Sequence, residues 1–408
     1  MRLRDWATLT PVFVHCLGKL SLRHLWYLGK QFRNENPHPH DGKLYVNTFF
    51  PPYPSKAFDK FLASVIDRKR VPYSTYFAVT DKCPYRCAHC SYGMHEKGTL
   101  DTETAIGIIK QIVALGTVTL GFTGGEPLTR PDIAELVAAT GDETASILFT
   151  TGHRLNVELA KKLKEAQLGC LTVGIESDER DEHDSIRGGS GSFDEALAAI
   201  ETSLKAGIYT AISTVGIRHK IVSGKIERIA GLAEKLGVHE FRILEPIPTG
   251  SFTGETDEVL TRAESERLSN FHKQHNRQNR GPAISSFSYL ESNEMFGCGA
   301  GFHHLFVDAV GNVCPCDLTP LSFGNILEEP LADIWSNMGT IFSLPRCGCM
   351  MKEISKNGGE IKPGCKLPLE KQESVAMCKK LCPGKKLPAV YENLFRGQKL
   401  PDRELIQK

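Results

Sequence analysis

The sequence of residues 75–90, TYFAVTDKCPYRCAHC, joins a short apolar run to three closely spaced cysteines. Thr75–Thr80 is rich in β-branched and aromatic residues, which predicts a strand. Cys83, Cys87 and Cys90 follow this strand directly, in the spacing CxxxCxxC. Three thiolates on one loop can hold three irons of a cubane iron–sulfur cluster, and the fourth iron is then open to another ligand.

A structural zinc ion is the alternative occupant of this loop. Closed zinc sites normally take four protein ligands. The nearby fourth candidate is His89, which lies too close in sequence to Cys90 to ligate the same ion comfortably. The spacing therefore favours the iron–sulfur interpretation.

Downstream of the loop, short β-branched runs alternate with amphipathic helical patterns. The further predicted strands are Thr117–Thr123, Ser146–Thr151, Cys170–Glu176, Tyr209–Val215 and Glu240–Glu245. The predicted helices are Thr104–Leu115, Asn156–Ala166, Phe193–Ala206, Ile226–Leu236 and Thr261–Asn276. Gly116, Gly207 and Gly237 each follow a predicted helix, where a left-handed cap is expected. Six strand–helix units with short connections predict an α/β fold with a parallel sheet, open or curled into a partial (β/α)6 barrel. Such sheets bind ligands at the C-terminal ends of their strands.

A second motif, TGGEP at residues 123–127, follows the second predicted strand at the same sheet edge. Gly124 and Gly125 would let a ligand approach the backbone closely, and the Glu126 carboxylate can receive an ammonium group. Together with the cysteine loop, this motif resembles the radical S-adenosylmethionine (SAM) superfamily. The resemblance implies that SAM binds at the open iron of a [4Fe–4S] cluster, and that these three residues bind its amino group.

Weaker correspondences follow from the same resemblance. They imply that Thr151 contacts SAM, that Glu176 binds the ribose hydroxyls, and that Arg187 pairs with the SAM carboxylate. His89 occupies a position where the family usually has an aromatic ring near the adenine. Gly174 stands where the family commonly has a serine. The alternative for Glu176 and Arg187 is a surface ion pair.

A second group of cysteines lies in the C-terminal third, where periodic apolar residues are few. Cys298 is separated by twelve residues from Gly311, and four more residues precede Cys316, which resembles the start of a SPASM domain. The resemblance implies one or two auxiliary [4Fe–4S] clusters, and zinc is the alternative. The candidate ligands are Cys298, Cys314, Cys316, Cys347, Cys349, Cys365, Cys378 and Cys382.

These patterns predict three units: an N-terminal extension (1–73), a barrel (74–290) and a small, irregular, cysteine-rich domain (291–408). Residues 17–33 of the extension predict a basic amphipathic helix. Its apolar face is Leu17, Leu20, Leu25, Leu28 and Phe32, and its basic face is Lys19, Arg23, Lys30 and Arg33. Such a helix either packs on the barrel with a solvated charged face or lies on an anionic membrane surface.

The composition of the chain limits its expected partners and cellular location. The formal net charge is +1, which gives no reason to expect a nucleic-acid partner. No apolar run is long enough to span a membrane, and the N-terminus does not resemble a secretory signal. Clustered cysteines suit metal ligation in a reducing compartment, so we expect a cytoplasmic protein, with surface association to a membrane as the variant that the basic helix suggests.

The resemblance implies an enzyme that cleaves SAM reductively to a 5′-deoxyadenosyl radical, which abstracts hydrogen from an unactivated carbon. Because SPASM proteins often modify peptides, a peptide or protein side chain is the first expected substrate. A lipid or isoprenoid is the second, and flavodoxin or ferredoxin is the expected reductant. A hypothesis of another class is a non-catalytic iron–sulfur electron carrier.

Overall fold

The computed structural model describes residues 3–253, 257–356, 367–381 and 386–395. The N-terminal extension contains helices and one short hairpin rather than a single amphipathic helix. Its elements are α1 (Leu3–Cys16), α2 (Leu22–Gln31), β1 (His38–His40), β2 (Lys43–Tyr45) and α3 (Lys56–Asp67). The helix predicted over 17–33 is therefore wrong in extent. Ser21 caps α2 by accepting a hydrogen bond from the His24 backbone N–H, and the residues before Ser21 form a turn.

The predicted parallel sheet is confirmed, and all six predicted strands are present. The strands are β3 (Ser74–Thr80), β4 (Thr119–Gly124), β5 (Ala145–Thr150), β6 (Cys170–Gly174), β7 (Thr210–Val215), β8 (Glu240–Leu244), β9 (Ala283–Ser286), β10 (His304–Val307) and β11 (Val313–Cys314). They form one nine-stranded sheet in the order β11-β10-β3-β4-β5-β6-β7-β8-β9. Every neighbouring pair is parallel except β10 and β11.

Helices follow the strands as the periodicity predicts. They are α4 (Thr102–Ala114), α5 (Ile133–Ala138), α6 (Val157–Glu165), α7 (Arg180–Arg187), α8 (Ser192–Lys205), α9 (Arg218–Val222), α10 (Lys225–Leu236), α11 (Arg262–Asn276) and α12 (Phe287–Leu290). Gly116, Gly207 and Gly237 all have positive φ, so the three predicted left-handed caps are confirmed.

Alternation along each strand separates a helix-facing core from a barrel interior. Phe77, Leu120, Leu148 and Val173 belong to the core beneath the helices. The intervening residues point inward, because successive side chains of a strand alternate between its faces. These inward residues line one cavity: Ser74, Tyr76, Thr119, Ile147, Phe149, Thr172, Gly174, Ser213, Arg242 and Leu244.

Residues 34–48 of the extension close the base of the barrel, at the N-terminal ends of the strands. Thr48 donates from its backbone N–H and its hydroxyl to the two carboxylate oxygens of Glu240, the first residue of β8, at 2.8 Å each. Glu35 lies 3.3 Å from His272 of α11 and accepts a hydrogen bond from Asn47 at 2.9 Å. All of these side chains are buried. The extension is therefore part of the barrel's own packing.

The cysteine-rich segment continues the sheet and the core rather than standing apart. Its strand β10 pairs with β3, and its helices are α13 (Leu331–Met338), α14 (Met350–Lys356), α15 (Lys371–Lys379) and α16 (Ala389–Leu394). Ile334 and Met338 are buried in the same hydrophobic cluster as Phe77. The sheet thus crosses the boundary predicted near residue 290. Among the described residues, no helix is long and apolar enough to cross a membrane.

Candidate active site

The three cysteines of the first motif lie on the loop after β3, at the C-terminal edge of the sheet, and face the cavity. The loop is held at several points. Arg86 N–H donates to the Arg187 carbonyl at 3.0 Å, and Ala88 N–H donates to the Ile186 carbonyl at 2.9 Å. Burial, together with the nearby Glu126 carboxylate and the Cys87 and Cys90 thiols, raises the pKa of the Cys83 thiol to about 11. Three free thiols on one hydrogen-bonded loop that faces the cavity fit a cubane cluster with one open iron.

The glycines of TGGEP fasten this loop to the sheet. A Cβ at Gly124 would lie 2.3 Å from the Thr80 carbonyl oxygen, and one at Gly125 would lie 2.3 Å from that of Lys82. Gly125 N–H donates to the Thr80 carbonyl and Glu126 N–H to the Lys82 carbonyl, each at 2.7 Å. The sequence argument expected a ligand to use this close approach. In the structure the backbone leading into the cysteine loop uses it.

Glu126 is fully buried and lies against the end of β5. Its carboxylate accepts hydrogen bonds from the Thr150 hydroxyl at 2.6 Å, the Thr151 backbone N–H at 2.7 Å and the Thr151 hydroxyl at 2.6 Å. The Leu128 N–H donates to it at 2.9 Å. The structure therefore brings together Glu126 and Thr151, which the resemblance had connected only through SAM.

Glu176 is surrounded by three basic side chains. Its carboxylate lies 2.7 Å from Lys220, 3.1 Å from Arg187 and 3.3 Å from His89, and its side chain is 3% exposed. Burial alone would raise the pKa of Glu176, but His89, Lys220 and Arg187 together hold it well below the usual range. The ion pair between Glu176 and Arg187 that the alternative interpretation predicts is present, but it is buried rather than at the surface.

Arg187 points toward the cysteine loop as well as toward Glu176. Its Nη1 donates to the Cys87 sulfur at 3.5 Å. Gly174 makes room for this guanidinium, since a Cβ there would lie 1.8 Å from Arg187 Nη2. Gly174 therefore stands in place of the family's serine because Arg187 occupies the space that a serine side chain would need.

Lys220 was missed by the sequence argument. It lies on the short helix α9, is 1% exposed, and also donates to the Thr214 hydroxyl at 2.8 Å. A lysine in the sequence RHKIV gives no local sign of burial. Lys220 is identified as a buried residue of the site only by its contact with Glu176, which is 44 residues away in the sequence.

We predict that Gly174→Ser displaces Arg187 and lowers SAM cleavage by about 10- to 100-fold. The reason is steric, because the new Cβ would overlap the guanidinium. The measurement is the rate of 5′-deoxyadenosine formation. In an Arg187→Ala background the same serine should cost little, and an equal loss in both backgrounds would contradict the prediction.

The second cysteine group separates in space. Cys298, Cys316 and Cys349 line the cavity together. A hydrogen bond with the Cys349 thiol lowers the pKa of Cys298 to about 6, so these two sulfurs are in contact. His304 and Asp317 lie within 4.8 Å of the Cys316 sulfur. These three thiols fit one auxiliary cluster at the cavity wall.

Other cysteines of the group lie elsewhere. Cys314 is buried on β11 against Ala78, Phe306 and Ala309, so the structure does not bring it to the three cavity thiols. Cys314 remains a predicted ligand, and the structure places it in a different hydrophobic cluster from the three cavity thiols. Cys347 donates to the Lys386 carbonyl at 3.4 Å, and Cys378 is buried near Arg346. Cys365 and Cys382 lie outside the described residues.

One cavity of about 1480 Å³ connects these groups. It extends from the cysteine loop down the barrel to Phe49 and Phe50 of the extension. Midway, Arg242 is buried, with its guanidinium 5.4 Å from the Phe149 ring centre and 5.2 Å from that of Phe287. Among the described residues its Nε has no hydrogen-bond partner. The volume exceeds what one drug-sized ligand needs.

Comparisons with known proteins agree with this geometry. Residues 77–221 match the family model of the radical SAM superfamily, and residues 298–344 match that of the SPASM iron–sulfur cluster-binding domain. The chain is 29% identical over 285 residues to the AdoMet-dependent heme synthase of Methanosarcina barkeri, covering 64% of this chain and 80% of that protein. It is also 29% identical over 281 residues to the mycofactocin maturase MftC of Mycobacterium ulcerans, covering 65% of this chain and 75% of that one.

Solved structures share the fold. Streptococcus suis SuiB bound to S-adenosylmethionine has a TM-score of 0.56 at 16% identity, over 71% of this chain and 72% of SuiB. The enzyme anSMEcpe with bound AdoMet has a TM-score of 0.56 at 18% identity, over 79% of this chain and 98% of that one. The two matched domains imply SAM and [4Fe–4S] clusters as cofactors. The chain is therefore an enzyme that carries a radical SAM domain over residues 77–221 and a SPASM-type domain over residues 298–344.

Proposed function

We propose that this enzyme abstracts hydrogen from an unactivated carbon of a substrate held in the barrel cavity. The proposal rests on one observation, which is that four sets of residues line the same cavity. They are Cys83, Cys87 and Cys90; Gly124, Gly125 and Glu126; Glu176 with Arg187 and His89; and Cys298, Cys316 and Cys349. When bound, the reduced cluster supplies the electron that breaks the sulfur–carbon bond of SAM, giving methionine and the 5′-deoxyadenosyl radical. The protein's part is to position SAM and substrate and to exclude water.

The residues divide this work. Cys83, Cys87 and Cys90, which line the cavity, would hold the SAM-binding cluster. Gly124 and Gly125 would hold the loop, while Glu126 and Thr151 would present oxygens to the SAM ammonium group. Glu176 and His89, which lie 3.3 Å apart, would contact the nucleoside. Arg187 would hold the Glu176 carboxylate and the Cys87 sulfur in fixed positions, because it donates hydrogen bonds to both.

The first proposed substrate is a peptide or protein side chain. The MftC relative is named a maturase, and one solved SuiB structure is bound to a precursor peptide. Other relatives are named heme synthases, so the relatives' names divide between two substrate chemistries. In either case Arg242, whose Nη1 lies 3.8 Å from the Glu240 carboxylate, would offer the rest of its buried guanidinium to an anionic group of the substrate.

A lipid or isoprenoid is the second candidate, and a specific feature favours it. The base of the cavity is lined by the aromatic rings of Phe49, Phe50, Phe61, Tyr73 and Phe296. Such a surface suits a hydrocarbon chain, since apolar burial needs no matched polar groups.

The test of hydrogen abstraction uses the full chain, reconstituted anaerobically with iron and sulfide and incubated with SAM and dithionite. The enzyme should form 5′-deoxyadenosine, and the Cys87→Ala variant should form none. If the wild-type protein forms none either, the chain is an electron carrier and the proposal fails.

The substrate class is tested by isotope transfer. Cells that naturally produce the protein are grown in deuterated water, and their peptide and lipid fractions are supplied separately to the enzyme. Deuterium should appear in 5′-deoxyadenosine with the peptide fraction. Deuterium transfer from the lipid fraction alone would overturn the peptide proposal in favour of the second candidate.

We predict that Cys316→Ala lowers the iron content of the reconstituted protein by about one cluster, whereas Cys314→Ala leaves it unchanged. The first thiol faces the cavity beside Cys298 and Cys349, and the second packs against Phe306. Iron and sulfide analysis with Mössbauer spectroscopy measures the difference. Equal iron loss in both variants would contradict the prediction and would indicate that Cys314 is also a cluster ligand.

A further inference from the structure

Exposed apolar side chains concentrate at one corner of the molecule. Val14, Leu17, Leu22 and Trp26 are 59%, 53%, 78% and 70% exposed. All four lie at the end of α1, the connecting turn or the first turns of α2. Single exposed apolar residues are ordinary, but a contiguous group marks a contact surface.

This corner is rigidly held, so its exposure is not a consequence of loose packing. Leu25, on the opposite face of α2, is buried with Val12 and Cys16 of α1 and Leu62 of α3. The apolar residues predicted to form the helix's buried face divide accordingly: Leu25 packs inward and Leu17 is exposed. The outer face of α2 is a different one, formed by Leu22, Arg23, Trp26 and Lys30, which are all exposed.

The charged side chains of the turn and α2 are all basic, and the acidic neighbour from another helix is Asp59 of α3, which pairs with His15 at 2.8 Å. Lys19, Arg23, Lys30 and Arg33 are exposed, and the sequence has no Asp or Glu from residue 6 to residue 34. Within the described ranges none of the four forms a salt bridge. The chain as a whole has a formal charge of only +1, so the basic excess is local.

We propose that this corner docks the enzyme on an anionic lipid bilayer. Trp26 and Leu22 would enter the boundary between headgroups and acyl chains, while Arg23 and Lys30 would contact the anionic headgroups. Exposed Trp and Leu beside Lys and Arg on one helix face is the pattern of an interfacial helix. Each basic residue near such a surface adds electrostatic attraction that salt screens.

The corner also adjoins the aromatic base of the cavity. The Phe13 and Phe32 rings are 6.1 Å apart, and the Phe32 and Phe50 rings are 6.4 Å apart. Phe50 lines the cavity. A bilayer bound at this corner would therefore lie next to the barrel's closed end. Docking does not depend on the proposed reaction, because it concerns the surface alone.

The test is flotation of the full-length protein with vesicles of phosphatidylcholine alone or with phosphatidylglycerol added. Wild-type protein should float with the anionic vesicles, and binding should weaken at high salt. Leu22→Ser with Trp26→Ser should reduce the partition coefficient roughly tenfold or more. Arg23→Gln with Lys30→Gln should reduce both binding and its salt dependence.

Val157→Ser with Leu327→Ser is the matched control, since these exposed side chains lie elsewhere, and its binding should equal that of wild type. Light scattering gives the mass of each variant. Absence of flotation, or flotation that survives loss of Leu22 and Trp26, would overturn the proposal. So would a wild-type dimer that becomes monomeric in the double variant, because the corner would then join two copies of the chain.

Discussion

Gly125→Ala is expected to abolish stable loading of the SAM-binding cluster and to lower 5′-deoxyadenosine formation at least about 100-fold. The added Cβ would meet the Lys82 carbonyl oxygen at 2.3 Å and the Asp81 carbonyl carbon at 2.7 Å. Both atoms are backbone, so neither can rotate away, and the loop carrying Cys83 must move instead. An ångström-scale displacement of positioned groups is enough to cost this much in rate.

Iron content and the electron paramagnetic resonance signal of the reduced cluster, with and without SAM, measure the effect. Gly107→Ala is the matched control, because Gly107 lies within α4 and a Cβ there has no atom within 4 Å. That variant should be at least as stable as wild type, since alanine favours a helix. A fully loaded and active Gly125→Ala protein would show that the loop is not fixed by this contact.

Lys220→Met is expected to destabilise the protein by about 3–5 kcal/mol, because it leaves the buried Glu176 carboxylate with one cation fewer. The apparent melting temperature should fall by roughly 5 °C or more. The matched control is Lys162→Met, which removes the exposed pair with Glu158 and should leave the melting temperature unchanged. Glu176→Gln should remove most of the cost of the lysine substitution, as expected for two groups that act as one pair.

The Glu176–Lys220 pair also predicts the direction in which the stability of the protein changes with pH. The folded-state pKa of Glu176 lies well below the ordinary value of 4.5. Its ionised form therefore stabilises the protein fully above that value, and the contribution is lost as the pH falls through the lower folded-state pKa. Without Lys220 the folded-state pKa rises toward the unfolded value, so the variant should lose less stability than wild type as the pH falls below about 4.5. Melting temperatures measured between about pH 3 and pH 7 would contradict this if wild type and variant fell in parallel.

Local patterns predicted the sheet and the first motif well. The six strands and the caps at Gly116, Gly207 and Gly237 depend on residues adjacent in sequence. The cysteine loop and TGGEP could be connected because the ends of neighbouring parallel strands share one edge. Local sequence patterns were therefore sufficient to predict where each motif lies on the sheet.

Contacts between distant residues could not be predicted in this way. Pairing of β10 with β3 joins segments some 230 residues apart, as in the contact of His304 with Ser74. The place of Lys220 depends on Glu176, and the reason for Gly174 depends on Arg187. The helix predicted over 17–33 was too long, because the spacing of apolar residues gives no sign of the turn before Ser21, where the helix actually begins.

The attachment of residues 34–48 has a practical consequence. Asn34 donates to the Tyr289 hydroxyl and accepts from Arg277, and Thr48 supplies the hydrogen bonds of the Glu240 carboxylate. Deleting the first 50 residues would strip partners from an acid and an aromatic hydroxyl that are both inaccessible to water. A shortened protein that aggregated or lost iron would thus say nothing about lipids or substrates. Amide exchange in this stretch should be as slow as in the barrel strands, which would identify the extension as an inseparable part of the catalytic fold.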